Sequence, residues 1–160
     1  MTIRICFVCL GNICRSPTAE GVMTDLVNRA GLSDEIEISS AGTSAWHVGE
    51  KADSRSREAA ERRGIELTSR ASQFRQKHFP EFEYILAMDM DNLKALSSLA
   101  PNNGERAKVK LLRDFDPDSP PGSRVPDPYY GGPTGFEDVL DLCTKACEQL
   151  LAHIRREHGI

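Results

Sequence analysis

No sign of charge dominates this sequence: 24 acidic side chains face 20 basic ones, for a net charge of −4. That balance lacks the basic footprint that nucleic acid selects, so no nucleic-acid partner is expected. Long apolar runs are missing too, with nothing near the ~20 residues needed to span a bilayer. The opening MTIRICFVCL lacks the apolar region and small-residue cleavage site of a secretory leader. Both absences argue against a membrane partner and for the cytoplasm. Internal repeats and low-complexity tracts are also absent. The five cysteines are an odd number in a chain long enough to build its own core, which argues against a secreted disulfide framework and for reduced thiols. With 160 residues, 39% apolar and 28% charged, the expectation is one globular domain spanning 1–160.

Within that frame, short β-branched runs alternate with helical spacings. IRICFV (3–8), IEISS (36–40), EYILAM (83–88) and VKLL (109–112) read as four strands. Ser16 offers an N-cap with Pro17 at the first helical position, and Ala19, Val22, Met23, Leu26, Val27 and Ala30 recur at helical spacing before Gly31. A second helix is expected from Asp53 to Arg63 and a third from the cap Asp89 to about Leu99. The last opens with a capping box, Thr134 and Glu137, and carries Phe136, Val139, Leu140, Cys143, Cys147, Leu150, Leu151 and Ile154 on one stripe. This alternation predicts an α/β sandwich around a parallel sheet, with ligands at the carboxyl ends of strands where the strand order reverses. Residues 114–133, DFDPDSPPGSRVPDPYYGGP, hold six prolines and three glycines and read as a long loop of the kind that is often functional.

The densest chemistry follows the first strand. Cys9-Leu10-Gly11-Asn12-Ile13-Cys14-Arg15-Ser16 is a cysteine, five residues, an arginine and a capping serine. A loop this short entering a helix turns backbone N–H groups toward one point, and the helix terminus adds partial positive charge. A tetrahedral dianion suits such a cradle, and the planar fork of Arg15 suits two of its oxygens. The same field favours the thiolate of Cys9 and so makes it a nucleophile. Gly11 is expected to take a conformation closed to other residues, and Asn12 to brace the loop through its amide. Asp127, by itself, reads first as a turn initiator before Pro128.

The run 6–17 resembles the phosphate loop of the low-molecular-weight protein tyrosine phosphatases. AGTSAWHVG (41–49), the pair Asp53 and Arg55, MDMDN (88–92) and DPYYG (127–131) resemble further segments of that family in the same order. The resemblance implies a four-stranded parallel sheet in the order 2-1-3-4 with helices on both faces. It implies hydrolysis of phosphotyrosine through a phosphocysteine on Cys9, with Arg15 binding phosphate, Asp127 as general acid and then base, and no cofactor or metal. Leu10, Gly11, Asn12, Ile13, Cys14 and Ser16 would hold the phosphate, Ser16 donating to the departing thiolate, while Trp46, Tyr129 and Tyr130 would sandwich the aromatic ring. Relatives selective for phosphoarginine carry threonine at the place of Ile13, so isoleucine favours a flat phenyl ring. Partners would be phosphotyrosine-containing proteins, with phosphate or other oxyanions as inhibitors in the loop, and the chain would be a monomer or weakly self-associating. Cys14 would trap oxidised Cys9 as a reversible disulfide. One departure stands out: the family's usual histidine and arginine are replaced by Ser69 and Ser72, which bears on how Asn12 and Ser40 are braced.

Rival readings are weaker. Arsenate reductases of a related class need two further cysteines about 70 to 80 residues beyond the nucleophile, where 79–93 holds none. A non-catalytic phosphotyrosine-binding module would have lost Cys9, Arg15 or Asp127. Cys6-x-x-Cys9 lacks the second close pair of a zinc site, and positions three apart on a strand face opposite ways, so Cys6 reads as core. Cys143 and Cys147 read as core as well. Asp114, Asp116 and Asp118 look like a solvated loop, since the prolines disrupt a calcium wrap. His47, His78, His153 and His158 are scattered and are given no role.

Overall fold

Four short runs, two of them rich in β-branched residues, lie side by side: β1 (Ile3–Cys9), β2 (Ile36–Gly42), β3 (Tyr84–Ala87) and β4 (Val109–Leu111). In this computed structural model, which describes residues 1–129, 131–132 and 134–160, they form a parallel sheet in the expected order β2-β1-β3-β4. The order reverses beside β1, so the carboxyl end of β1, where Cys9 pairs with Gly42, opens into the crevice such sheets use for ligands.

Alternation along β1 sends Ile3, Ile5, Phe7 and Cys9 into one core and Cys6 and Val8 into the other. The first core is closed by α1 (Arg15–Arg29), α2 (Ser54–Glu61) and α5 (Gly135–His158). The second is closed by α3 (Met90–Leu99) and a 3₁₀ turn at Gln76–Glu81. A helical layer on each face gives the three-layer sandwich. The split also separates Cys6 from Cys9 onto opposite faces, and burial pushes the Cys6 thiol up to about 12. Cys143 and Cys147 lie in the buried stripe of α5 with Leu140, Leu150 and Ile154. Each of those three fully buried aliphatic side chains contributes about 2 kcal/mol, which is what holds a long helix in place.

Local signals held at two helix starts and failed at two others. Asp53 and Asp89 cap α2 and α3, accepting from the N–H groups of Arg55 and Asn92. The expected cap at Ser16 is not formed: α1 starts at Arg15, its N-cap position is Cys14, and the Ser16 hydroxyl is turned to Cys9. The capping box of α5 is absent as well, because Thr134 makes no side-chain cap bond and Glu137 accepts from Arg62 and Arg63, both at 2.8 Å. A one-turn helix, α4 (Asn103–Arg106), and a 3₁₀ turn at Leu112–Phe115 were too short to leave a periodicity. The latter takes the first two residues of the long loop. Asp116 is not solvated but 3% exposed. Its carboxylate accepts from the Asp118 N–H at 3.0 Å and the Ser119 hydroxyl at 2.8 Å, which pins the turn. No helix among the described residues is long and apolar enough to cross a membrane.

Candidate active site

β1 ends at Cys9 and α1 begins at Arg15, leaving five residues to turn the chain. Neighbouring segments tie their carbonyls outward. Thr43 N–H donates to the Cys9 carbonyl at 2.9 Å, Ser44 N–H to that of Leu10 at 3.0 Å, and Asp53 N–H to that of Ile13 at 2.7 Å. With carbonyls so held, the Asn12 N–H turns to the inside of the loop and donates to Cys9 Sγ at 3.3 Å. The left-handed residue is Asn12, at φ 57°, and not Gly11 as expected. Gly11 answers to a close approach instead, since a Cβ there would lie 3.0 Å from the His47 ring. Gly42 is needed for the same reason, because a Cβ would lie 2.7 Å from the Leu10 carbonyl.

The Asn12 side chain braces the loop from behind. Nδ2 donates to Ser16 Oγ at 2.7 Å and to Ser40 Oγ at 3.0 Å, while Oδ1 accepts from the Ser72 N–H at 3.0 Å. Ser16 Oγ, already accepting from Asn12, lies 3.0 Å from Cys9 Sγ and 3.4 Å from the Ala41 carbonyl, and the sulfur is the nearer acceptor for its proton. Ser40 donates onward to Glu20 at 2.5 Å. Burial pushes the Glu20 carboxyl above its ordinary range, opposed by hydrogen bonds from Ser40 and Ser69. Ser69, through its hydroxyl on Glu20, and Ser72, through its backbone N–H on Asn12, complete the brace.

Arg15 is 4% exposed. Its Nη1 donates to Asp89 Oδ2 at 2.6 Å and to the Val125 carbonyl at 3.1 Å, and Nη2 lies 3.9 Å from Asp127 Oδ2. Burial works against the guanidinium charge, but Cys9 and Asp89 outweigh it and raise its pKa. Asp89 is a functional residue that sequence reasoning saw only as a cap; its two oxygens serve two purposes, Oδ1 on α3 and Oδ2 on Arg15. Its place in MDMDN was the available signal.

Cys9, Leu10, Gly11, Ile13, Cys14, Arg15, Trp46, Asp127 and Tyr129 converge around a cavity of about 290 Å³. That is near the lower end of the ~300–1,000 Å³ typical of small-molecule sites. Trp46 stands 75% exposed at its rim. Asn12 and Ser16 do not line it: both are buried behind the loop, at 2% and 0% exposure, and reach the cavity only through Cys9. Tyr130 lies outside the described residues. His47, given no role from sequence, lines the cavity with its Nδ1 2.7 Å from Glu50. Cys14 shares the wall, and burial followed by the Asp53 charge pushes its thiol up to about 12.

A parallel α/β sandwich with a cysteine, an anion-shaped loop and a buried arginine at the switch point defines a phosphate-handling class. The family model for low molecular weight phosphotyrosine protein phosphatase matches residues 4–159. A low molecular weight protein-tyrosine-phosphatase of Streptomyces coelicolor is 47% identical over 158 residues, 98% of this chain and 96% of that protein. Among solved structures, a protein tyrosine phosphatase of Entamoeba histolytica with Hepes in its active site superposes with a TM-score of 0.91 at 40% identity, covering 99% of each chain. YfkJ of Bacillus subtilis does so with a TM-score of 0.91 at 41% identity, covering 99% of this chain and 98% of its own. The chain belongs to the low molecular weight phosphotyrosine protein phosphatase family.

Proposed function

We propose that residues 1–160 form one cytoplasmic catalytic domain that hydrolyses phosphotyrosine in proteins, and small aryl phosphates, through a phosphocysteine on Cys9. The observation that carries this reading is the Cys9 sulfur within a cavity where a loop amide, the start of α1 and Arg15 converge, with Asp127 beside Arg15. In the first step sulfur attacks phosphorus, the S–P bond forms, and the P–O bond to the tyrosyl oxygen breaks as Asp127 gives that oxygen a proton. In the second, Asp127 takes a proton from the water that attacks phosphorus, and Cys9 departs as thiolate toward the Ser16 hydroxyl. Both steps balance without a cofactor. Asp89 holds one nitrogen of Arg15, which leaves the other donors of the fork for equatorial oxygens, where one preorganised donor is worth about 3 kcal/mol. The apolar side chain of Ile13 and the rings of Trp46 and Tyr129 offer a phenyl ring flat contacts, and inorganic oxyanions compete for the same loop. The domain acts as a monomer or with weak self-association.

The test is hydrolysis of aryl phosphates of graded leaving-group acidity. Cys9→Ser abolishes turnover. Asp127→Ala lowers kcat/KM about 10²-fold or more for phenyl phosphate, and far less for nitrophenyl phosphate, whose phenol leaves without a proton donor. Equal losses on all leaving groups would remove Asp127 from the acid's role.

A further inference from the structure

The Asp53 and Arg55 segment lies outside the cavity, and the two steps above assign it nothing. Its contacts nevertheless join the two halves of the site. Asp53 N–H holds the Ile13 carbonyl of the phosphate loop at 2.7 Å. The Asp53 carboxylate accepts the Arg55 N–H at 2.8 Å and grips the guanidinium in a fork, Nε to Oδ1 at 3.0 Å and Nη2 to Oδ2 at 2.9 Å. So fixed, the guanidinium carbon lies 5.2 Å from the Tyr129 ring centroid and 4.7 Å from that of Phe136 at the start of α5, both within cation–π range. The remaining nitrogen, Nη1, donates to the Tyr129 carbonyl at 3.3 Å. The other side of that residue is held by the acid itself, since Tyr129 N–H donates to Asp127 Oδ1 at 3.0 Å.

We infer that Arg55 is a positioning residue, which ties the segment 127–129 to the phosphate loop and so sets how closely the Asp127 carboxyl approaches the leaving oxygen. The inference rests on the reading of Asp127 as general acid. Asp127 is 47% exposed on its side chain and follows a proline-rich stretch, so its own packing does little to hold it. Arginine suits the task because one planar group serves a carboxylate with one edge, a carbonyl with another and rings with its faces, which lysine cannot do together. Proton transfer is sensitive to such placement, since a shift of about 1 Å can cost on the order of 10² in rate.

A double-mutant cycle on kcat/KM tests this, with phenyl and nitrophenyl phosphate as the two probes. Arg55→Met, which keeps an apolar side chain against both rings, is expected to lose about tenfold on phenyl phosphate and under about twofold on nitrophenyl phosphate. Arg55→Lys, which retains a donor for the Tyr129 carbonyl, recovers part of the loss. In an Asp127→Ala background Arg55→Met adds less than about twofold on either probe, because the group it positions is gone. Equal losses on both probes, or a full further loss without Asp127, would make Arg55 a structural residue and overturn the inference while leaving the acid in place. An Asp127→Ala single variant that ignores leaving-group acidity would overturn both readings.

Discussion

Replacing Asn12 by alanine removes the brace behind the phosphate loop and leaves a left-handed residue without its reason to be there. The side chain is 2% exposed and makes three hydrogen bonds, to Ser16, Ser40 and the Ser72 backbone. At about 1 kcal/mol net for each bond, and about 1 kcal/mol for alanine held at φ 57°, the loss is near 4 kcal/mol. In a chain of this length that lowers Tm by about 8 to 16 °C. Urea denaturation of wild type, Asn12→Ala and Asn12→Gly separates the contributions. Glycine takes the left-handed conformation freely, so Asn12→Gly is expected to be more stable than Asn12→Ala by roughly 1 kcal/mol while still lacking the three bonds. Inorganic phosphate at about 100 times Kd should stabilise the wild type by about 2.7 kcal/mol and the alanine variant by much less at the same concentration, since its cradle is no longer preformed. A loss below about 1 kcal/mol would refute the brace. An alanine variant as stable as the glycine one would refute the left-handed assignment.

Two further outcomes follow from carboxyl and thiol environments. Glu20 has its pKa raised by burial, so the folded chain holds that proton more tightly than the unfolded one. Its contribution is complete below the ordinary carboxyl value of about 4.3 and is lost as pH rises through the raised folded value. Glu20→Gln keeps an acceptor for Ser40, so its Tm should gain on the wild type between about pH 4.5 and about pH 8; a constant or shrinking difference contradicts the assignment. Peroxide is expected to convert the Cys9 thiolate to a sulfenic acid with release of hydroxide, after which attack by the Cys14 thiol would expel water and close a disulfide that a dithiol reopens. Both sulfur-bearing residues line one cavity, though a Cys14 thiol raised to about 12 makes closure slow. Wild type is expected to regain activity with dithiothreitol, whereas in Cys14→Ala excess peroxide carries the unprotected sulfenic acid on to the sulfinic acid, which dithiothreitol does not reduce; equal recovery would rule the disulfide out.

The elements that could be read from the sequence are those whose cause is local. A β-branched run, an aspartate ahead of a helix and an apolar stripe every three to four residues state their own conformation, and so β1 to β4, the caps at Asp53 and Asp89 and the face of α5 were legible. The misreadings share the opposite property. Ser16 is spaced as a cap but is turned to Cys9, and Glu137 is spaced as a capping partner but is drawn to Arg62 and Arg63, 75 and 74 residues away. Asp89 reaches Arg15 across a separation of 74.

Gly11 and Asn12 show why such partners rearrange even a short motif. From the loop alone, glycine is the natural left-handed residue because it lacks a Cβ. In the folded chain the His47 ring crowds the space a Cβ at position 11 would need, so glycine eases the fit there and its φ is ordinary. The left-handed turn falls to residue 12, where asparagine tolerates it and where its amide meets Ser16, Ser40 and Ser72 at once. The chemistry of the loop was therefore written in its own residues, while the part each residue plays was decided by strands and loops that the chain brings to it from 28 to 60 residues away.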